Sequence, residues 1–222
     1  EAVDTEHFQP RSNPYQHFSA PTVKTHRVRL KPFEIEDIEN FKIPPGNRRY
    51  DAQQVFLFAY YLQGMRASDV IQLKWQNVKG IYVHYKAGKT EKTRPRKLIL
   101  RAQAILEYYG SEGRQRNDYI FPFLKGLNRK DYNAEEWLKK LDSKNALIRK
   151  ELKNIANELG LEALSMHVAR HSYATNALRA TNGNVHLVSD SLDHSSIAIT
   201  EKYFSAAEPE ENDDLVFKVF GE

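Results

Sequence analysis

The sequence predicts a mainly α domain carrying one small antiparallel β-sheet, an α+β fold. Apolar residues recur at helical spacing over most of the chain, most clearly in residues 48–63 and 134–159. Two short runs, IYVHY and KLIL, are instead rich in β-branched and aromatic side chains and flank a lysine-rich connection. At 222 residues the chain is long enough to bury a sizeable core.

Taken in order, residues 1–29 hold Pro10, Pro14 and Pro21 among polar residues without a sustained period, as a linker or arm would. Phe33, Ile35, Ile38 and Phe41 mark a short amphipathic helix, ended by Pro44, Pro45 and Gly46. The run YDAQQVFLFAYYLQ is dense in apolar residues and predicts a core helix, with Gly64 as its stop. Another helix begins near Ser68, so Arg66 lies in a tight junction held from both sides. IYVHY (residues 81–85) and KLIL (97–100) are expected to pair as two strands. Helical spacing resumes over residues 102–109, and FPFLKG (121–126) reads as a loop. A long helix over 134–159 follows, with Gly160 at its end and a potential break near Ser143. Helices over about 165–178, 184–192 and 195–205 complete the fold, before an acidic link and the apolar LVFKVF of residues 215–220.

Charge is informative in its distribution. The 33 Lys+Arg exceed the 29 Asp+Glu only slightly, but Lys86, Lys89, Lys92, Arg94, Arg96, Lys97 and Arg101 are opposed by Glu91 alone within their stretch. A basic patch of this kind suits a polyanion. The absence of cysteine excludes disulfides, thiolate nucleophiles and Cys-based zinc sites, and makes an intracellular location the default. No apolar run reaches the roughly 18 residues of a membrane span.

The segment HVARH places His167, Arg170 and His171 at i, i+3 and i+4, on one helix face, while Val168, Ala174, Ala177 and Leu178 supply the apolar side. Two imidazoles four apart also suggest a metal, but the glutamate of a zincin helix is missing and no third ligand is evident. A guanidinium between imidazoles is better suited to phosphate. Two guanidiniums can bind the non-bridging oxygens of a phosphodiester and stabilise the charge of a pentacoordinate transition state, a role that Arg66 and Arg170 fit. A tyrosine nucleophile, with an ordinary pKa near 10, needs a base or a positive potential, and His167 is the first candidate base. His171 is equally a structural histidine or a phosphate contact. Tyr203 is one of 12 tyrosines and on its own would pass for a core residue. Arg94 and Arg96 are candidates for non-specific contact with a DNA backbone, whereas Lys92 and Lys97 read as a solvated loop.

These pieces together resemble the tyrosine recombinases, the phage and conjugative-transposon integrases, over roughly residues 28–207. GMRASDVIQLKW matches the family's early arginine at Arg66, HVARH its His-x-x-Arg-His, and SLDHSSIAITEKYF its last histidine and nucleophilic tyrosine. Asp193 departs from the family's usual glycine before that histidine. Asp reaches positive φ at modest cost, and a carboxylate there is expected to raise the pKa of His194.

The resemblance implies the tyrosine recombinase catalytic-domain fold in residues 30–207 and a site made of Arg66, Lys86, His167, Arg170, His194 and Tyr203, supported by His171. Lys86 in KAGK best matches the family's general acid, with Lys89 the runner-up and also a candidate DNA contact. It further implies strand cleavage through a 3′-phosphotyrosyl intermediate, with no metal and no cofactor. The partners implied are a double-stranded DNA core site and other copies of the chain: a tetramer on DNA, a monomer without it, in the cytoplasm and apart from membranes. Residues 1–29 are then the end of a missing core-binding domain, consistent with a chain that opens on Glu1, and residues 208–222 a segment exchanged between protomers. The competing readings are a type IB topoisomerase-like enzyme and a non-catalytic DNA-binding module.

Overall fold

The computed structural model describes residues 27–86, 93–111, 113–194 and 196–204. The exchange segment expected in residues 208–222 therefore lies outside the described residues, as does most of the N-terminal arm.

The domain is built around helix α2 (Arg48–Tyr61). Asn47 caps it, its side chain accepting from the Tyr50 N–H at 2.9 Å, which satisfies one of the amide donors a helix start leaves open. Ala52, Val55, Phe56, Phe58 and Ala59 of α2 are all fully buried, so this helix is apolar nearly all round rather than along one stripe. It is covered on one side by α5 (Ala134–Leu159) and on another by α6 (Met166–Ala180). At about 1.5–3 kcal/mol for each large apolar side chain, this burial is the main favourable contribution to the domain.

Helix α1 (Pro32–Asn40) buries Ile35 and Ile38 against α2, while Phe33, expected on the same face, is 59% exposed. Gln53 donates to the Ile38 and Phe41 carbonyls at 2.6 and 2.9 Å, satisfying acceptors that the end of α1 leaves open. Helix α5 runs unbroken through Ser143. Asn133 and Glu136 form a reciprocal capping box at its start, and Gly160 closes it at φ 66°.

Strands β1 (Val78–Lys79), β2 (Tyr82–Lys86) and β3 (Thr93–Lys97) form an antiparallel sheet in that order. Here the sequence reading is corrected. The partner of β2 is TRPRK rather than KLIL, with Tyr82 opposite Lys97 and Lys86 opposite Thr93. Of KLIL only Lys97 lies in the strand, and the chain turns away after Leu98: Ile99 is the N-cap position of α4 (Leu100–Gly110), and Leu100 is 81% exposed. Pairing is decided by the hairpin register, and the edge position tolerates Pro95, which has no N–H to donate. Side chains alternate across the sheet, and Arg96 faces Val83, which is fully buried. Arg96 thus points inward.

Helices α3 (Ala67–Ile71), α7 (Val185–Ser191) and α8 (Ile197–Phe204) complete the fold. Helix α6 joins two clusters. Its Val168 and Ala169 belong to the main core, whereas Ala174 and Leu178 pack with Val188, Leu192 and Tyr203 in a small second one.

Candidate active site

The site forms where the α2–α3 junction, helix α6 and the turn between α7 and α8 converge. Gln63 and Gly64 both lie in the left-handed region, at φ 60° and 67°, and turn the chain so that Arg66 becomes the N-cap of α3. Gly64 is required by space as well as by conformation. A Cβ there would stand 3.1 Å from the Arg170 Cα and 3.2 Å from Leu192 Cδ2.

That close approach lets Arg170 hold three segments together. Its Nη1 donates to the Gly64 carbonyl at 2.7 Å and its Nη2 to the Leu192 carbonyl. A guanidinium has five N–H donors, so it retains others for a ligand. Burial, followed by the charge of Arg66, pushes the Arg170 pKa down to about 10, which leaves it a cation at neutral pH.

Tyr203 is 5% exposed and reaches the same place from α8. Its hydroxyl lies 2.8 Å from His171 Nδ1. Its ring stacks on that of His194 with centroids 6.2 Å apart and planes within 4°. His194 is in turn oriented by Thr200, whose Oγ1 is 2.7 Å from Nδ1, leaving Nε2 as the nitrogen that can meet a ligand. Burial raises the Tyr203 pKa, while Arg170, Arg27 and Arg29 work against that rise.

Both imidazoles are neutral at neutral pH. The His171 pKa is pushed down to about 4 by burial and by the charges of Arg27 and His167. The His194 pKa is also pushed down to about 4, by burial and then by Arg170 and Arg66. The rise expected from Asp193 is thus overturned: the carboxylate does act upward, but desolvation and two guanidiniums outweigh it.

Arg66, Arg170, His171, His194 and Tyr203 are therefore brought together. His167 is exposed one turn away, its ring 6.4 Å from that of His171. The imidazole at the phenol is that of His171, not the one ranked first as a base. Lys86 is exposed at the end of β2. Lys89 lies outside the described residues, and of Arg94 only the backbone is described. Arg96 is a correction. Its side chain is 5% exposed and paired with Asp193 rather than displayed at the surface as Lys86 is.

Sequence reasoning missed Thr200, Arg27 and Arg29. Arg29 is held near the site because the neighbouring Leu30 N–H donates to Ser172 Oγ of α6 at 2.8 Å. Nothing in the spacing of these residues signals their roles, which depend on contacts between distant segments. Among the described residues no group of three or more His, Cys, Asp or Glu is placed to hold a metal ion. What converges is cationic and hydrogen-bonding, with a hydroxyl beside it, an arrangement that can bind a phosphate and present a nucleophile to it.

Comparison with known proteins yields a match to the model of the phage integrase family over residues 29–210. Among solved structures, XerA recombinase superposes with a TM-score of 0.58 at 18% identity, covering 88% of this chain and 66% of that one. XerH site-specific recombinase bound to its difH substrate, in a pre-cleavage complex, gives 0.59 at 21% identity, covering 88% and 55%. The Tn1549 transposon integrase in complex with circular intermediate DNA gives 0.55 at 15% identity, covering 87% and 66%. This chain thus spans between about half and two-thirds of the chains it resembles. No curated protein matches the sequence.

Proposed function

The chain belongs to the phage integrase family, and from that premise we propose that it is the catalytic domain of a site-specific recombinase that cuts and rejoins DNA strands. The observation that carries this reading is the Tyr203 hydroxyl, 2.8 Å from His171 and within the field of Arg170, on which Arg66 acts in turn.

In the proposed reaction Tyr203 Oη attacks the scissile phosphorus and loses its proton as the P–O5′ bond breaks. The 5′ oxygen leaves as a hydroxyl, with Lys86 as the proton donor and Lys89 the alternative. A phosphotyrosyl ester replaces a phosphodiester, so bond energy is conserved and no nucleotide cofactor is called for. Attack by a 5′ hydroxyl of another strand reverses the step and restores the phenol. Arg66 and Arg170 neutralise the phosphate and the charge that grows on it, and His194 donates from Nε2.

The proton on Tyr203 passes to His171 or His167. Neither the raised phenol nor an imidazole with a pKa near 4 favours that transfer before DNA binds. A bound phosphate would bring a negative charge near His171 and raise its basicity against the burial and surrounding cations that depress it. On this reading the site becomes reactive only when loaded.

Double-stranded DNA is the proposed substrate, in the cytoplasm, and a tetramer on paired core sites the acting form, with residues 208–222 exchanged between protomers. Residues 1–29 would join a preceding DNA-binding domain. The test is incubation with a nicked suicide duplex containing the core site. A covalent protein–DNA adduct is expected, and Tyr203→Phe should lower it to background, a loss of at least about 10³ in rate. An undiminished adduct from that variant would remove Tyr203 from its role.

A further inference from the structure

Arg96 sits in the inward-facing row of β3, opposite Val83, where an apolar side chain would be the ordinary choice. Its guanidinium instead bonds two residues far away in sequence. One amino group donates to Gln63 Oε1 and the other pairs with Asp193 Oδ2. Both carboxylate and guanidinium are out of solvent, with side chains 4% and 5% exposed. Tyr85 of the facing strand, next to Lys86, is close enough that the Arg96 charge opposes the rise that burial imposes on its phenol.

The two partners share a conformation. Gln63, three residues before Arg66, has φ 60°, and Asp193, immediately before His194, has φ 54°. Each is a left-handed, non-glycine residue in the turn that presents a phosphate-site side chain. Glycine would make either turn without strain, so the non-glycine side chains are retained against a conformational cost. A buried ion pair returns little net stability, because desolvation consumes most of the attraction. A gain in geometry is the better account.

We propose that the Arg96–Asp193 pair, with Gln63, is a positioning device for strand cleavage: it locks the turn carrying His194 and the turn carrying Arg66 to the hairpin carrying Lys86. This rests on the recombinase reading given above. Arg96 touches no reacting atom; it acts through the backbone of the two turns. Glycine could make the turn before His194 but could not be held in it, whereas the Asp193 carboxylate is fixed there by an ion pair.

Wild type, Arg96→Met, Asp193→Gly, Asp193→Asn and the double variant Arg96→Met/Asp193→Gly are compared at a temperature where each is fully folded by circular dichroism. The readouts are the single-turnover rate of adduct formation on the nicked duplex, and DNA affinity against salt concentration. The double variant is the decisive one, since it removes both members of the buried pair and keeps a residue at 193 that takes positive φ freely. It is expected to fold and bind DNA as wild type does, while adduct formation is slowed at least about tenfold. Asp193→Asn, which keeps a hydrogen bond to Arg96, should be slowed less. A smaller deficit in the folded double variant overturns the proposal. So does loss of affinity with the slope of log K against log salt reduced by about one, because that outcome makes Arg96 a phosphate contact. Absence of an adduct with wild type would instead refute the recombinase reading, a result separate from any difference among the variants.

Discussion

The two halves of the site rest on unequal foundations. Arg66 and Arg170 stand on the main core, where α2, α5 and α6 bury Phe56, Phe58, Ile148 and Leu152 almost completely. Tyr203 belongs to a cluster of five buried residues, Ala174, Leu178, Val188, Leu192 and Tyr203 itself. On the proposed reading the phosphate-binding half is thereby preorganised, and the half that reacts is the more easily opened. That division would suit the proposed nucleophile, which is buried at 5% exposure and would have to meet a DNA strand. A guanidinium moving by an ångström would cost transition-state stabilisation in every cycle, whereas a tyrosine held by a small cluster can be displaced at little expense to the fold.

The largest effect expected on this comparison is at the arginines. Arg66→Ala and Arg170→Ala should each slow adduct formation about 10²–10³-fold, as loss of a transition-state donor does. They should differ in stability. Arg170→Ala also frees the Gly64 and Leu192 carbonyls, at about 1–3 kcal/mol for each group left unsatisfied, whereas among the described residues no such bond to a buried carbonyl is seen for Arg66. Equal thermal midpoints for the two variants would dissolve the distinction between a ligand-binding arginine and one that also ties the segments together.

Core truncation comes next. Ile148→Ala in the main core is expected to cost about 2–5 kcal/mol in global unfolding. Leu178→Ala in the small cluster should cost less globally but increase amide exchange in residues 188–203, measured on the native protein. If exchange rises uniformly over the whole domain, the two clusters open as one and the contrast fails.

The smallest effect is in pH dependence. His171 and His194 have folded pKa values of about 4, below the ordinary 6.5. The unfolded chain therefore binds more protons between those values, so their contribution to stability is complete above about pH 6.5 and is lost as pH falls toward 4. The thermal midpoint should drop across that window, and His171→Asn should flatten the drop. A midpoint that rises on acidification would mean that these imidazoles gain partners on charging, against the cationic surroundings described above.

Much of this was legible in sequence because it is local. The core position of α2 follows from its dense apolar run, the end of α5 from Gly160, and the shared face of His167, Arg170 and His171 from helical periodicity. The strand error shows where such reasoning stops. KLIL has the composition of a strand, yet TRPRK pairs with β2, with Arg96 rather than an apolar side chain opposite Val83.

The sequence by itself determined which chemical groups are present and which share a helix face or a turn, since spacing along a chain of fixed geometry decides that. Arg66 in its junction, His-x-x-Arg-His on α6 and a tyrosine nine residues after His194 are facts of this kind. Only the tertiary structure decided which histidine meets the Tyr203 hydroxyl, which way the His194 pKa moves, and that Arg96 pairs with Asp193 across 97 positions. Those outcomes depend on burial and on distances between segments remote in sequence. Packing sets both, and no local pattern encodes them.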